Sequence, residues 1–245
     1  MAELRIRECP GKMALPEGRR GVLGGTFNPV HIGHIRLAQE VAETLRLSGV
    51  DLMPCASPPH KPKNGLLPYA LRVEMLKSAL QEMNLLDVSL LEDELPQPSY
   101  TWNTARIIRE RTGEVPLFIL GDEDFACLDT WWHGLELPSV MDFAVVPRSG
   151  TSSAMFLSTL QRFWPEAEIF ADREKGVIQA IAAPGRSCWF LPLPTIEISA
   201  TRIRSRWLNG LDIHFLVPDV ILRMMQERSE EIAAIWRAAM SAQQA

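Results

Sequence analysis

Apolar residues recur along this chain with two alternating spacings. Residues 21–25 form a short apolar run ending in glycine, which predicts a buried strand that stops where the backbone turns sharply. In 31–47 the residues Ile32, Ile35, Ala38, Val41, Ala42 and Leu45 recur at three and four, one face of a helix, and Ser48-Gly49 closes the pattern. Residues 50–54 read as a second strand. Residues 67–84, with Leu71, Met75, Leu76 and Leu80 on one side, read as a second helix, and 85–91 as a third strand. A helix starts near Ser99 or Thr101 and ends at Gly113, and strands follow at 115–120 and 142–146. Within 149–187 only a helix at 153–164 is legible. A strand around 188–191 then leads to Ser199, which caps a short helix to Leu208, and a last helix starts after Pro218 and fills much of the tail.

Repeated β-α-β units imply right-handed crossovers and an α/β fold: a Rossmann-like, doubly wound, mostly parallel sheet with helices on both faces and a C-terminal helical part. Residues 1–18, with Pro10, Gly11, Pro16 and Gly18, read as an irregular lead-in in which Met13 is a second possible start. Residues 19–245 read as a single domain, a size that α/β domains routinely reach.

Composition narrows the function classes. The 245 residues carry 25 Lys plus Arg against 30 Asp plus Glu, a net charge of -5, which argues against a protein that coats nucleic acid. Apolar residues at 47% supply a core and exclude disorder across the whole chain. Cys9, Cys55, Cys127 and Cys188 form no CxxC or Cys/His pattern, so neither a zinc site nor a disulfide framework is suggested. No apolar run approaches the roughly 18 residues of a membrane span, and the first residues lack the apolar stretch of a secretory signal. The expectation is a soluble, cytoplasmic protein with reduced thiols and no membrane or nucleic-acid partner, and a homo-oligomer is left open.

Chemistry concentrates in GGTFNPVHIGH, residues 24–34, where the first strand turns into the first helix. Parallel sheets bind ligands at the carboxyl ends of strands, and a helix N-terminus favours anions, so phosphate is the natural guest. Gly24 and Gly25 let the backbone approach it closely, Thr26 offers a hydroxyl and an amide, and Phe27 continues the turn. His31 and His34 are three apart and share a helix face. Either histidine alone reads as a cap or a polar filler; two together after glycines read as stabilisers of phosphate charge. Zinc-protease histidines are spaced by four with a glutamate between them, so no metal site is read here. Far downstream, ISATRIR (198–204) places Ser199 and Thr201 hydroxyls at a helix start, with Arg204 as a cation able to bridge two phosphate oxygens. Alone, Ser199 reads as an N-cap and Arg204 as a surface charge; beside the first motif they read as phosphate ligands.

GGTFNPVHIGH resembles the (G)GTFDPxHxGH signature of the nucleotidyltransferase superfamily, and ISATRIR its ISxTxIR element, which grips ATP phosphates. Pro58-Pro59-His60-Lys61, Pro98-Ser99-Tyr100-Thr101 and GDEDFACLDTWW (121–132) resemble, in the same order, the PPH(K/R), PSYT and GxDxxxxxxxWW elements of bacterial nicotinate mononucleotide adenylyltransferases. The resemblance runs from about Arg20 to the end, with 149–187 in a stretch that the family varies. It implies adenylyl transfer from ATP to nicotinate mononucleotide without a covalent enzyme intermediate, with Mg²⁺ carried on ATP; the alternatives are a transferase of the same fold with another phosphorylated acceptor and a nucleotide-binding sensor without turnover. It implies His31, His34 and Arg204 as catalytic residues. Gly24, Gly25, Thr26, Phe27, Gly121, Glu123, Ile198, Ser199 and Thr201 would hold ATP. His60, Lys61, Thr101, Trp131 and Trp132 would hold the acceptor, Trp131 stacking on its ring while Thr101 and the Trp132 backbone meet its carboxylate. Asn28 and Glu123 stand where relatives usually carry Asp, so either Glu123 or Asp122 is left as the ribose contact.

Overall fold

Strand and helix alternate in the computed structural model as the apolar spacing predicts; it describes residues 5–9, 13–57, 65–148, 150–194 and 196–242. The first half runs β1 (Ile6–Glu8), β2 (Arg20–Gly25), α1 (Ile32–Thr44), β3 (Gly49–Pro54), α2 (Tyr69–Leu80), β4 (Leu86–Val88), α3 (Leu91–Glu94) and α4 (Thr101–Thr112). Then come β5 (Leu117–Gly121), α5 (Asp122–Ala126), β6 (Asp142–Val146), α6 (Ala154–Phe163), β7 (Glu168–Asp172), β8 (Val177–Ala183) and β9 (Arg186–Phe190). Three helices close the chain: α7 (Ala200–Leu208), α8 (Asp219–Glu227) and α9 (Ser229–Ala242). Contacts divide the chain into two compact units, Met1–Gly24 with Glu40–Val50 and Tyr100–Thr195, and Gly25–Gln39 with Asp51–Ser99 and Ile196–Ala245.

The first unit holds strands in the order β1-β7-β8-β9-β6-β5-β2. β2, β5, β6 and β9 pair in parallel, and β7, β8 and β9 form an antiparallel meander. β6 is buried along its whole length, as a strand covered on both faces must be. Gly21 keeps the sheet tight, because a Cβ there would sit 3.1 Å from Leu47 Cδ1 and 3.2 Å from Val50 Cγ2. An aromatic cluster seats α6: Phe125 lies 5.4 Å from Phe156 and 5.7 Å from Phe143, and Phe156 lies 5.6 Å from Phe190. The buried polar centre is Asp142, 4% exposed. It accepts from the Arg19 guanidinium and the Ser187 amide, both at 2.8 Å, while Arg19 also donates to the Val115 carbonyl. In the second unit β3 and β4 lie side by side, and α2 packs with α8; Leu71 and Met75 of α2 and Ile221 and Met225 of α8 are buried.

Four sequence expectations change. The lead-in is not wholly irregular: β1 pairs in parallel with β7, Ile6 opposite Ile169, an edge pairing by exposed residues that carry no apolar alternation. The strand expected over 85–91 stops at Val88; the Ser89 amide makes a last bond to the Leu52 carbonyl, and its hydroxyl accepts from the Leu91 amide as α3 begins. The tail is two helices rather than one, broken at Arg228 (φ -113°), whose guanidinium pairs with Glu74. In 149–187, β7 and β8 follow the expected α6, joined by a turn in which Asp172 caps the Glu174 and Lys175 amides before Gly176 at φ 67°.

Asp142→Ala leaves Arg19 partly buried without its carboxylate and the Ser187 amide without its acceptor. Urea unfolding is expected to show a loss of about 3 kcal/mol, the scale of breaking a buried pair, and a loss below about 1 kcal/mol overturns this reading of Asp142.

Candidate active site

The turn after β2 is held open by sterics. A Cβ on Gly25 would lie 2.9 Å from the Phe27 ring, whereas one on Gly24 would meet nothing within 4 Å. Phe27 is 1% exposed with φ 48°, a left-handed conformation costly for a residue with a side chain. Its ring stands edge-on to His34, centroids 4.9 Å apart.

His31 precedes the first residue of α1 and His34 is its third, and the pair makes one half of a capping box: the His31 N–H donates to His34 Nδ1 at 3.3 Å. With Nδ1 accepting, the His34 ring proton sits on Nε2. The rings stack at 3.5 Å with 21° between planes. Gly33 allows this, since a Cβ there would lie 3.1 Å from His31 Nδ1. His31 is 5% exposed, its Nδ1 has no partner among the described residues, and burial pulls it from 6.5 to about 4. At neutral pH the His31 ring is therefore uncharged.

The helix N-terminus offers an anion less than the sequence suggests. The Ile32 amide is taken by the Leu216 carbonyl and the His34 amide by the His31 carbonyl. Of the first-turn amides, Gly33 is left without a partner among the described residues, so charge recognition falls to side chains. Arg204 supplies it: Nη1 donates to the Asn28 carbonyl at 2.9 Å and Nη2 to Thr201 Oγ1 at 3.1 Å. Partial burial pulls its guanidinium below the ordinary value, but an arginine keeps its charge. Ser199 caps α7 by accepting from the Arg202 amide at 3.2 Å, which leaves its hydroxyl hydrogen as a donor; Ile198 precedes it, half-buried.

Sequence reasoning missed what fastens this turn. Asn28, 7% exposed, donates to the Gly65 carbonyl at 2.8 Å and accepts from the Leu67 amide at 3.1 Å. Its amide thus uses a donor that an aspartate lacks. Arg72, 1% exposed, donates from Nη1 to the Thr26 carbonyl at 2.8 Å and from Nε to the Leu67 carbonyl at 3.0 Å. Its place on the apolar side of α2 hid it from a periodicity argument.

The acceptor residues of the first unit are arranged separately. Thr101 opens α4, and Tyr100 lies 5.1 Å from the Trp132 ring. Trp132 is 46% exposed and edge-on to His133 at 4.3 Å, while Trp131 is half-buried. Among the described residues the Trp132 amide has no hydrogen-bond partner. Gly134 makes the loop possible, because a Cβ there would lie 1.8 Å from the Leu128 carbonyl oxygen; the glycine directly after Trp-Trp-His was the available signal. Gly121 caps α5. Asp122 is buried and accepts from the Glu123 and Arg148 amides at 3.0 Å each, so it serves the loop, and Glu123 is exposed in a 3.4 Å pair with Arg148. His60 and Lys61 lie outside the described residues.

Burial and Glu92 push the Cys55 thiol up to about 12, and burial raises that of Cys188, so neither of these two thiols is a ready nucleophile. Among the described residues no three His, Cys, Asp or Glu side chains gather to hold a metal ion, and no helix is long and apolar enough to cross a membrane.

Residues 22–206 match the cytidylyltransferase-like family. A protein of Geobacter sulfurreducens named "Probable nicotinate-nucleotide adenylyltransferase" is 32% identical over 211 residues, covering 86% of this chain and 96% of that one. One of the same name from Pseudomonas syringae pv. tomato is 36% identical over 208 residues, 83% of this chain and 89% of its own. Among solved structures, Plasmodium falciparum nicotinic acid mononucleotide adenylyltransferase complexed with APC superposes with a TM-score of 0.64 at 14% identity, over 87% of this chain and 96% of that one. That likeness shows the α/β, Rossmann-like fold.

Between pH 6.5 and about 4 the unfolded chain binds a proton at His31 that the folded chain does not, so stability falls as pH drops through this window, by on the order of 3 kcal/mol. Urea unfolding at pH 7 and 4.5 is expected to show a smaller pH-dependent loss in His31→Gln than in the parent, and equal losses overturn the assignment.

Proposed function

This chain belongs to the cytidylyltransferase-like family and to the same family as the nicotinate-nucleotide adenylyltransferases it matches, and on that premise we propose that it transfers the adenylyl group of ATP to nicotinate mononucleotide. An acceptor phosphate oxygen forms a bond to the α-phosphorus, the bond from that phosphorus to the oxygen bridging to the β-phosphate breaks, and pyrophosphate leaves with the electron pair. The other product is nicotinate adenine dinucleotide, which makes this a step of NAD biosynthesis.

The observation that carries the reading is the stacked His31–His34 pair at the start of α1, with Arg204 bonded to the carbonyl of Asn28 in the same turn. His34 Nε2–H and the Arg204 guanidinium stabilise charge on the transferring phosphates, and neutral His31 fixes the His34 ring without adding a competing charge. Gly24, Gly25, Thr26 and Phe27 present backbone to the triphosphate, and Thr201 and Ser199 present hydroxyls. Mg²⁺ carried on the ATP phosphates would neutralise charge there; among the described residues no three His, Cys, Asp or Glu side chains gather to hold it. Gly121 and Glu123 are assigned to the nucleotide by the motif resemblance alone, and Glu123 would have to leave its pair with Arg148 to serve it.

In the acceptor half, the Trp132 ring is committed to Tyr100 and His133, which leaves Trp131 to stack on the pyridine. The Trp132 amide and Thr101 at the start of α4 meet the carboxylate. His60 and Lys61 complete the acceptor set at its phosphate.

Pyrophosphate release with ATP and Mg²⁺ is expected with nicotinate mononucleotide, at least about tenfold less with nicotinamide mononucleotide, and none with phosphopantetheine, since donors placed for a carboxylate discriminate against acceptors that lack it. Equal rates with both pyridine nucleotides remove the carboxylate contact, and silence with all three acceptors overturns the reaction. His34→Ala is expected to lower kcat by about 100- to 1,000-fold with a much smaller change in ATP affinity. Trp131→Ala is expected to raise the KM of the acceptor by about tenfold or more.

A further inference from the structure

We infer that Arg72 is a positioning residue for nucleotide binding, acting through the peptide between Thr26 and Phe27. Arg72 lies 1% exposed, so it cannot itself reach a ligand. Its Nη1 grips the Thr26 carbonyl at 2.8 Å, its Nε the Leu67 carbonyl at 3.0 Å, and its guanidinium carbon sits 5.4 Å from the Tyr69 ring centroid.

The consequence follows from peptide geometry. The Thr26–Phe27 bond is trans, so its C=O and N–H point in opposite directions in one plane. Holding the carbonyl toward α2 therefore aims the Phe27 N–H away from it. Among the described residues that N–H has no partner, although Phe27 is buried. A guanidinium on the carbonyl also polarises the peptide and strengthens the N–H as a donor. The left-handed φ of 48° at Phe27 is what the chain accepts to present that peptide. Arg204 grips the Asn28 carbonyl two residues on, but that peptide precedes Pro29 and has no N–H to present. The two arginines thus divide the work: Arg204 remains a charge at the turn, and Arg72 aims a neutral donor. This inference rests on the reading that ATP phosphates lie against residues 24–27.

The test compares Arg72→Met, Arg72→Lys and Met75→Ala, the last a cavity in the same helix that touches neither carbonyl. Arg72→Met is expected to raise the KM for ATP by about tenfold and lower kcat/KM for ATP by about 100-fold, the scale of one preorganised donor, with the KM for nicotinate mononucleotide within about twofold. Arg72→Lys, with one ammonium for two carbonyls, is expected to recover part of the loss. Met75→Ala is expected to lower Tm while leaving the KM for ATP within about twofold at 20 °C. In NMR spectra the Phe27 amide is expected to shift on adding ATP to the parent and not to Arg72→Met. Unchanged ATP kinetics in Arg72→Met, or the same kinetic change in Met75→Ala, overturns the inference. If the parent transfers no adenylyl group, the reaction fails but the Phe27 shift with ATP still decides the role of Arg72: a parent shift abolished in Arg72→Met supports it, and no parent shift overturns it.

Discussion

Two guanidiniums gripping carbonyls of one turn are the constraint on which the candidate active site depends. Residues 26–28 belong to no helix or strand, so their carbonyls lack ladder partners, and a buried carbonyl without a partner costs on the order of 1–3 kcal/mol. Arg72 and Arg204 satisfy the Thr26 and Asn28 carbonyls, and the Asn28 side chain ties the same turn to Gly65 and Leu67. Burying Arg72 carries a desolvation cost of several kcal/mol, offset in part by two charge-assisted bonds and the face of Tyr69. Such a cation is a poor source of stability. What it gives is a single orientation for a turn that would otherwise have several.

That orientation decides the electrostatics beside it. The Phe27 ring, placed by the turn, stands against His34, and His34 is held by the His31 amide and lies flat on the His31 ring. Two charged imidazoles at that separation would repel. Burial keeps His31 neutral, so the partly exposed positive charge at this turn is the Arg204 guanidinium, held on the Asn28 carbonyl and Thr201. Because the Ile32 and His34 amides already have partners, the helix end contributes chiefly by setting ring geometry.

Legibility in the sequence tracked locality. Helices and strands with a clean apolar period, such as α1, α2 and β6, are found where the spacing predicts them. His31 and His34, and Thr201 and Arg204, share helical turns and come together as their spacing implies. Three-residue β1 carries no period and exists by pairing with β7, 161 positions away between Arg7 and Glu168. β7 and β8 were signalled only by turn residues, Asp172 with Gly176 and Pro184 with Gly185, in a stretch whose apolar run could equally be helix. Arg72 and Asn28 were missed as fasteners for the same reason: their partners are backbone atoms, which leave no mark in residue spacing.

The two units divide the proposed chemistry by the physics each favours. The second gathers the groups proposed to donate to phosphate, His34, Thr201 and Arg204, a role that would serve any nucleoside triphosphate reaction equally well. The first gathers flat rings and helix-start donors: Tyr100 and Thr101 at the start of α4, and Trp131 and Trp132 on a loop whose geometry requires glycine at 134. Charge stabilisation is indifferent to what the acceptor phosphate is attached to; stacking and carboxylate contacts are not. Acceptor choice can therefore drift by changes confined to the Trp-Trp loop and the start of α4, while the histidine–arginine turn stays fixed because its own carbonyls allow it no alternative.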